Sequence, residues 1–161
     1  MKQTAPSQSV GFTIIELLVA VVLLVILGSL VALTYSGVQA KNRNSTRQTA
    51  IDTLQGQLEA YYAENSKYPS LAELNNPTWR SQKLKNLPTN GLQDPRWNVS
   101  IKNCTSGNKA IVATAPTANC YSYQVTAANG DACDDVTADC AHYTLTALLE
   151  GGDKYVRSSL N

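Results

Sequence analysis

Phe12-Thr13-Ile14-Ile15-Glu16-Leu17-Leu18-Val19-Ala20-Val21-Val22-Leu23-Leu24-Val25-Ile26-Leu27 opens an apolar block that runs on to Leu33, with only Gly28 and Ser29 interrupting it after Leu17. At ~1.5 Å per residue, a helix over 12–33 spans the ~30 Å hydrocarbon layer of a bilayer. Glu16 breaks the pattern. An unpaired carboxylate at membrane depth costs on the order of 2.5 kcal/mol or more, so Glu16 either sits at the headgroup interface or has a partner of opposite charge.

The block dominates an otherwise ordinary composition. The chain has 161 residues, 43% hydrophobic and 16% charged, with a formal net charge of +1. Those values exclude a disordered chain, a strongly basic nucleic-acid binder and an acidic solvating tail. About 95 residues follow Lys67, enough for one small core but too few for a multidomain enzyme with a deep cleft.

All four cysteines, Cys104, Cys120, Cys133 and Cys140, lie in the last third of the chain. Their spacing lacks the Cys-x-x-Cys pairs of a zinc site, and His142 is the sole histidine, so disulfides are the expected state. Three pairings are possible. Cys104 with Cys120 and Cys133 with Cys140 is preferred, because each bond closes a local, turn-rich loop. Disulfides place this part of the chain outside the reducing cytosol.

That conclusion makes the apolar block an export or anchoring device. A cleaved secretory signal fits poorly, although Val38-Gln39-Ala40 offers small residues for cutting. The apolar region is too long, and Glu16 stands where such a signal prefers positive charge. Lys41, Arg43 and Arg47 after the block, against Lys2 alone before it, point the C-terminus toward the cytoplasm by the positive-inside rule, opposite to what the cysteines require.

Gly11-Phe12-Thr13-Ile14-Ile15-Glu16-Leu17-Leu18-Val19 resembles the processing and assembly motif of type IV pilins and the pseudopilins of type II secretion systems. It has a short polar leader, a glycine before the cut, an aromatic residue after it, and a glutamate at the fifth residue of the mature chain. The resemblance implies that a prepilin peptidase cuts between Gly11 and Phe12 and that the new Phe12 amine is methylated. It also gives Glu16 a partner, the charged N-terminus of a neighbouring subunit, since carboxylate and ammonium neutralise one another in an apolar core where either alone is penalised. Many type IV pilins carry a helix-breaking proline in the apolar half. This chain has Leu33 near that place, leaving Gly28 and the apolar-free segment 41–49 as soft spots.

Beyond the block, Ile51, Leu54, Leu58 and Tyr61 or Tyr62 recur at three- and four-residue steps, the pattern of an amphipathic helix that ends before Pro69. Continuous helix from Phe12 to about Glu64 would measure ~80 Å. After Pro69 the chain turns to short β-type runs. Trp97–Lys102, Ala110–Ala115, Cys120–Thr126 and His142–Leu149 are the candidate strands, the last two by alternation. The expected fold is α+β, a long N-terminal helix on a small antiparallel sheet, pilin-like. Its expected parts are a leader at 1–11, a transmembrane and filament-core helix at 12–33, its amphipathic continuation at 34–66, and a disulfide-bonded β-rich head at 67–161.

No nucleophile with a suitable histidine and no phosphate-binding loop is present, so an enzyme is not expected. The cluster Asp131, Asp134, Asp135 and Asp139 invites a calcium reading but lacks the spacing of a calcium loop, and a solvated loop is preferred. No cofactor is expected. Lys41, Arg43 and Arg47 could contact DNA, but a collar meeting lipid phosphates or acidic residues of neighbouring subunits is preferred. Trp79, Arg80, Lys83, Lys85, Arg96 and Trp97 form a second basic and aromatic set. Asn44, Asn98 and Asn103 stand in glycosylation sequons.

The expected function is that of a structural pilin subunit of an extracellular filament serving adhesion, twitching motility or DNA uptake. It is held in the cytoplasmic membrane by one pass, N-terminus inside, until assembly. Its expected partners are related subunits, the prepilin peptidase, the inner-membrane assembly machinery and membrane lipid. The alternatives are a pseudopilin or a membrane-tethered binding module that never polymerises.

Overall fold

A helix of 52 residues, α1 (Ile14–Asn65), takes up a third of the chain. The computed structural model describes residues 11–88, 90–96, 104, 111–112, 115–117, 119–134 and 136–161, without the side chains of 30–34 and 36. The chain divides into two units, Met1–Gln39 and Ala40–Asn161. The helix stops where the sequence changes: Asn65 Nδ2 donates to the Tyr61 carbonyl at 2.8 Å, and Ser66 turns the chain with φ 57° ahead of Pro69. Segment 41–49, expected as a soft spot, is unbroken helix.

In the second unit the helix buries Ile51, Leu54, Leu58 and Tyr61, a single stripe at helical spacing. Opposite it stand Tyr121, Tyr123, Tyr143, Leu145 and Ala147 from a four-stranded sheet. The strands are β1 (Ile111–Val112), β2 (Tyr121–Thr126), β3 (His142–Leu148) and β4 (Lys154–Ser158), in that spatial order. β2, β3 and β4 are antiparallel neighbours.

The sheet is mixed, which corrects the antiparallel expectation: β1 runs parallel to β2, pairing Ile111 with Tyr121. Side-chain alternation specifies which face is buried and carries no information on strand direction. The Asn75 side chain closes the outer side of β1, accepting from Ile111 N at 3.2 Å and donating to Ile111 O at 3.1 Å. A side-chain amide thus takes both backbone hydrogen bonds of Ile111 on that side. Candidate strand 97–102 lies outside the described residues.

Two short helices occupy sequence expected to be β-type. In α2 (Leu71–Asn75), Ser70 and Glu73 form a reciprocal capping box. α3 (Pro77–Lys83) starts with Asn76 accepting from Thr78 N and Trp79 N and with proline in the first turn. β4, also unforeseen, follows Gly151 and Gly152, whose φ values of 110° and 97° allow the reversal from β3.

Two tyrosine hydroxyls from this core converge on one half-buried carboxylate. Glu59 accepts from Tyr143 at 2.7 Å and Tyr68 at 2.9 Å, and Tyr68 meets Tyr143 edge to face at 4.7 Å. Burial pushes the Tyr68 hydroxyl up to about 12.

An ion cluster ties the helix to two distant segments. Arg47 forks onto Asp94 at 2.6 and 3.0 Å, both side chains being 2% exposed. Arg47 also reaches Glu150 at 3.4 Å, and Arg43 pairs with Glu150. Asn44 accepts from Glu150 N at 2.8 Å and donates to Glu150 O at 3.2 Å. A buried pair of this kind roughly breaks even against apolar replacements, whereas deleting one partner strands a charge. Arg47→Met is therefore expected to lower the unfolding free energy by about 3–5 kcal/mol, and the added change Asp94→Leu to recover most of it, as read by urea denaturation of the full chain in detergent.

The hydrogen bond from Arg43 holds the Glu150 carboxyl at about 2, below its ordinary 4.5. A lowered native value means that the stabilisation is complete above about 4.5 and is lost as the pH falls toward about 2. Asp134, held at about 2 by the backbone N–H groups of Thr137 and Val136, contributes in the same window. Thermal melts over that range should show a steep acid loss in the native chain and a shallower one in Glu150→Gln.

Candidate assembly surface

Gly11, Phe12 and Thr13 are exposed and non-helical, and α1 begins at the next residue. Thr13 acts as the helix cap. Its carbonyl accepts from Glu16 N and Leu17 N at 3.1 and 3.2 Å, and its Oγ1 accepts from Glu16 N at 3.3 Å. Glu16 therefore occupies the third helical position, where a carboxylate is favoured by the unpaired N–H groups of the first turn. This local role was legible in Thr13-x-x-Glu16 and was missed. It accounts for the helix start but not for a carboxylate surrounded by Ile14, Ile15, Leu17 and Leu18 in sequence. Among the described residues, Glu16 has no ion-pair partner.

From Phe12 to Leu27 every large apolar side chain is exposed, from 48% at Val22 to 87% at Ile14. A helix apolar on all sides cannot be satisfied by packing one face. A contiguous surface of this kind marks a contact with protein or lipid. Ser29 is neutralised within the helix by donating to Ile26 O at 2.7 Å. Among the described residues no helix is long and apolar enough to cross a membrane. The side chains of 30–34, within the apolar block, lie outside that description.

The remaining candidates fall in the second unit. Disulfides join Cys104 to Cys120 and Cys133 to Cys140. Among the described residues no cluster of His, Cys, Asp or Glu is arranged to hold a metal. Asp134 is occupied by the N–H groups of Val136 and Thr137, Asp131 by Asn129, and Asp139 by Lys67; Asp135 lies outside the described residues. His142 is an exposed first residue of β3, with Nδ1 3.1 Å from the Asn161 carbonyl oxygen.

The expected basic collar at Lys41, Arg43 and Arg47 is corrected. Arg47 is buried on Asp94 and Arg43 is engaged by Glu150, leaving Lys41 exposed. Asn44 of the first sequon is committed to Glu150 and Arg47, and Asn98 and Asn103 lie outside the described residues. Trp79 packs on Tyr61 with ring centroids 5.3 Å apart, a core contact. Arg80 donates to Leu74 O, Arg96 approaches Glu150 at 3.8 Å, Lys83 and Lys85 are exposed, and Trp97 lies outside the described residues.

No family model, curated protein or solved structure matches the chain. The cap geometry generates its own expectation. A carboxylate in the first turn contributes only about 0.3–1 kcal/mol to a helix, so Glu16→Gln should leave the far-ultraviolet circular dichroism of the full chain in detergent unchanged. A large loss of helix would assign Glu16 to folding instead of to a partner.

Proposed function

We propose that this chain is a structural pilin subunit, cut by a prepilin peptidase between Gly11 and Phe12 and polymerised through its N-terminal helix into an extracellular filament. One observation carries the proposal. An exposed, non-helical Gly11-Phe12 bond stands just before a helix that is apolar on every side as far as Leu27 and has a single carboxylate in its first turn.

Each part then has a task. The apolar block holds the uncut chain in the cytoplasmic membrane, with residues 1–11 inside. Cleavage and methylation leave a cationic amine on Phe12. As a subunit moves into the fibre, apolar helix faces replace lipid with one another, a transfer with little hydrophobic driving force of its own. Charge pairing supplies the selectivity: Glu16 meets the Phe12 amine of a neighbour, and a misregistered subunit leaves both charges unpaired in an apolar core. The disulfide-bonded unit is displayed on the outside, where it is the part available for adhesion or for contact with other surfaces.

The chain with Glu16→Ala, produced beside the native chain, tests this directly. It should enter the membrane and be cut normally, yet enter filaments about tenfold less than the native chain. Equal incorporation would contradict the pairing role of Glu16.

A further inference from the structure

A cleft of about 270 Å³ opens beside the ion cluster of the second unit, bounded by Arg47, Arg96, Asn119, Leu149, Glu150 and Gly151. The charges around it do not balance. Among the described residues, the guanidinium groups of Arg43, Arg47 and Arg96 meet only two carboxylates, Asp94 and Glu150. Arg47 is committed to Asp94 and Arg43 to Glu150, which leaves Arg96 as the uncompensated cation. Its Nε stands 3.8 Å from Glu150 Oε1, its side chain is 57% exposed, and its guanidinium makes no hydrogen bond among the described residues. Its backbone is nonetheless tied down, because Arg96 N donates to Asp94 Oδ1 at 2.8 Å.

Two further donors line the cleft without acceptors. The Asn119 side-chain amide and the Gly151 N–H make no hydrogen bond among the described residues. Asn119 is held at φ 84°, a left-handed conformation that is costly for most side chains and tolerated by asparagine, in a turn closed by Cys120 N donating to Thr117 O at 3.0 Å. The one carboxylate on the cleft wall, Glu150, already receives Arg43 through both of its oxygens. The cleft therefore holds more donors than acceptors and one more positive charge than negative.

We propose that this cleft binds a carboxylate group, with Arg96 as its cationic clamp and the Asn119 amide and Gly151 N–H as the accompanying donors. A planar guanidinium fork matches the two oxygens of a carboxylate. A phosphate dianion fits worse, because a single surplus positive charge leaves it half neutralised beside Glu150. Leu149 gives the carbon frame that carries the carboxylate an apolar wall to lie against. The site uses residues of the second unit alone and does not depend on the filament proposal.

The test is nuclear magnetic resonance of the full chain in detergent, titrated separately with sodium acetate, sodium glucuronate and sodium phosphate, and with sodium chloride at matched ionic strength. Acetate and glucuronate should each produce a saturable shift at the Gly151 N–H and the Asn119 side-chain amide that chloride does not. Arg96→Gln should weaken that binding about tenfold. Asn119→Asp, which accepts the same backbone conformation and sets a second carboxylate in the cleft, should weaken it as well and keeps the test open if the first variant disturbs its loop. Arg157→Gln removes a partly exposed arginine outside the cleft and should leave binding unchanged. Tighter binding of glucuronate than of acetate would support the site and assign the carboxylate to a sugar acid, whereas equal binding would support it with a small free acid. Tighter binding of phosphate than of either, equal losses in the Arg96 and Arg157 variants, or the absence of a saturable shift with both carboxylates would overturn the proposal.

Discussion

The buried fork between Arg47 and Asp94 fixes how the second unit is built. Arg47 comes from the helix, Asp94 from the loop beyond α3, and Glu150, which receives Arg43 and Arg47, from the connection between β3 and β4. Three segments far apart in sequence therefore meet at one charged point. The pair contributes little net energy over an apolar alternative, but it penalises any arrangement that separates its members. The apolar stripe from Ile51 to Tyr61 supplies the driving force for packing, and the fork selects which loops lie against the helix.

One helix serves two environments because its residue pattern changes along its length. Before Leu27 it is apolar on every side, and from Ile51 onward it is apolar on one. A one-sided stripe is satisfied by a sheet of the same chain, whereas an all-round surface requires surroundings that the chain cannot provide alone. The intervening polar turns remain helical because their side chains find partners elsewhere: Arg43 and Arg47 on acids, and Asn44 on the backbone of Glu150. Polar sequence was therefore compatible with helix once tertiary partners were available.

Much of this was legible. Ile51, Leu54, Leu58 and Tyr61 were identified by spacing, and β2 and β3 by alternation, because burial imposes a period on sequence. Ser70-x-x-Glu73 and Asn76-Pro77 held enough local information to announce α2 and α3, but the short runs after Pro69 suggested β-type structure instead. The partners of Arg47 could not be read, since Asp94 and Glu150 lie 47 and 103 residues away and no local rule connects them. Strand direction at β1 was hidden for the same reason. At the N-terminus, the motif at Gly11, Phe12 and Glu16 was visible, while the capping role of Thr13 was overlooked beside it.

Mass spectrometry of the chain from purified surface filaments reads the N-terminus that the proposed assembly would require. A processed pilin subunit would appear as an abundant chain that begins at a methylated Phe12. An abundant filament chain that still begins at Met1 would contradict it.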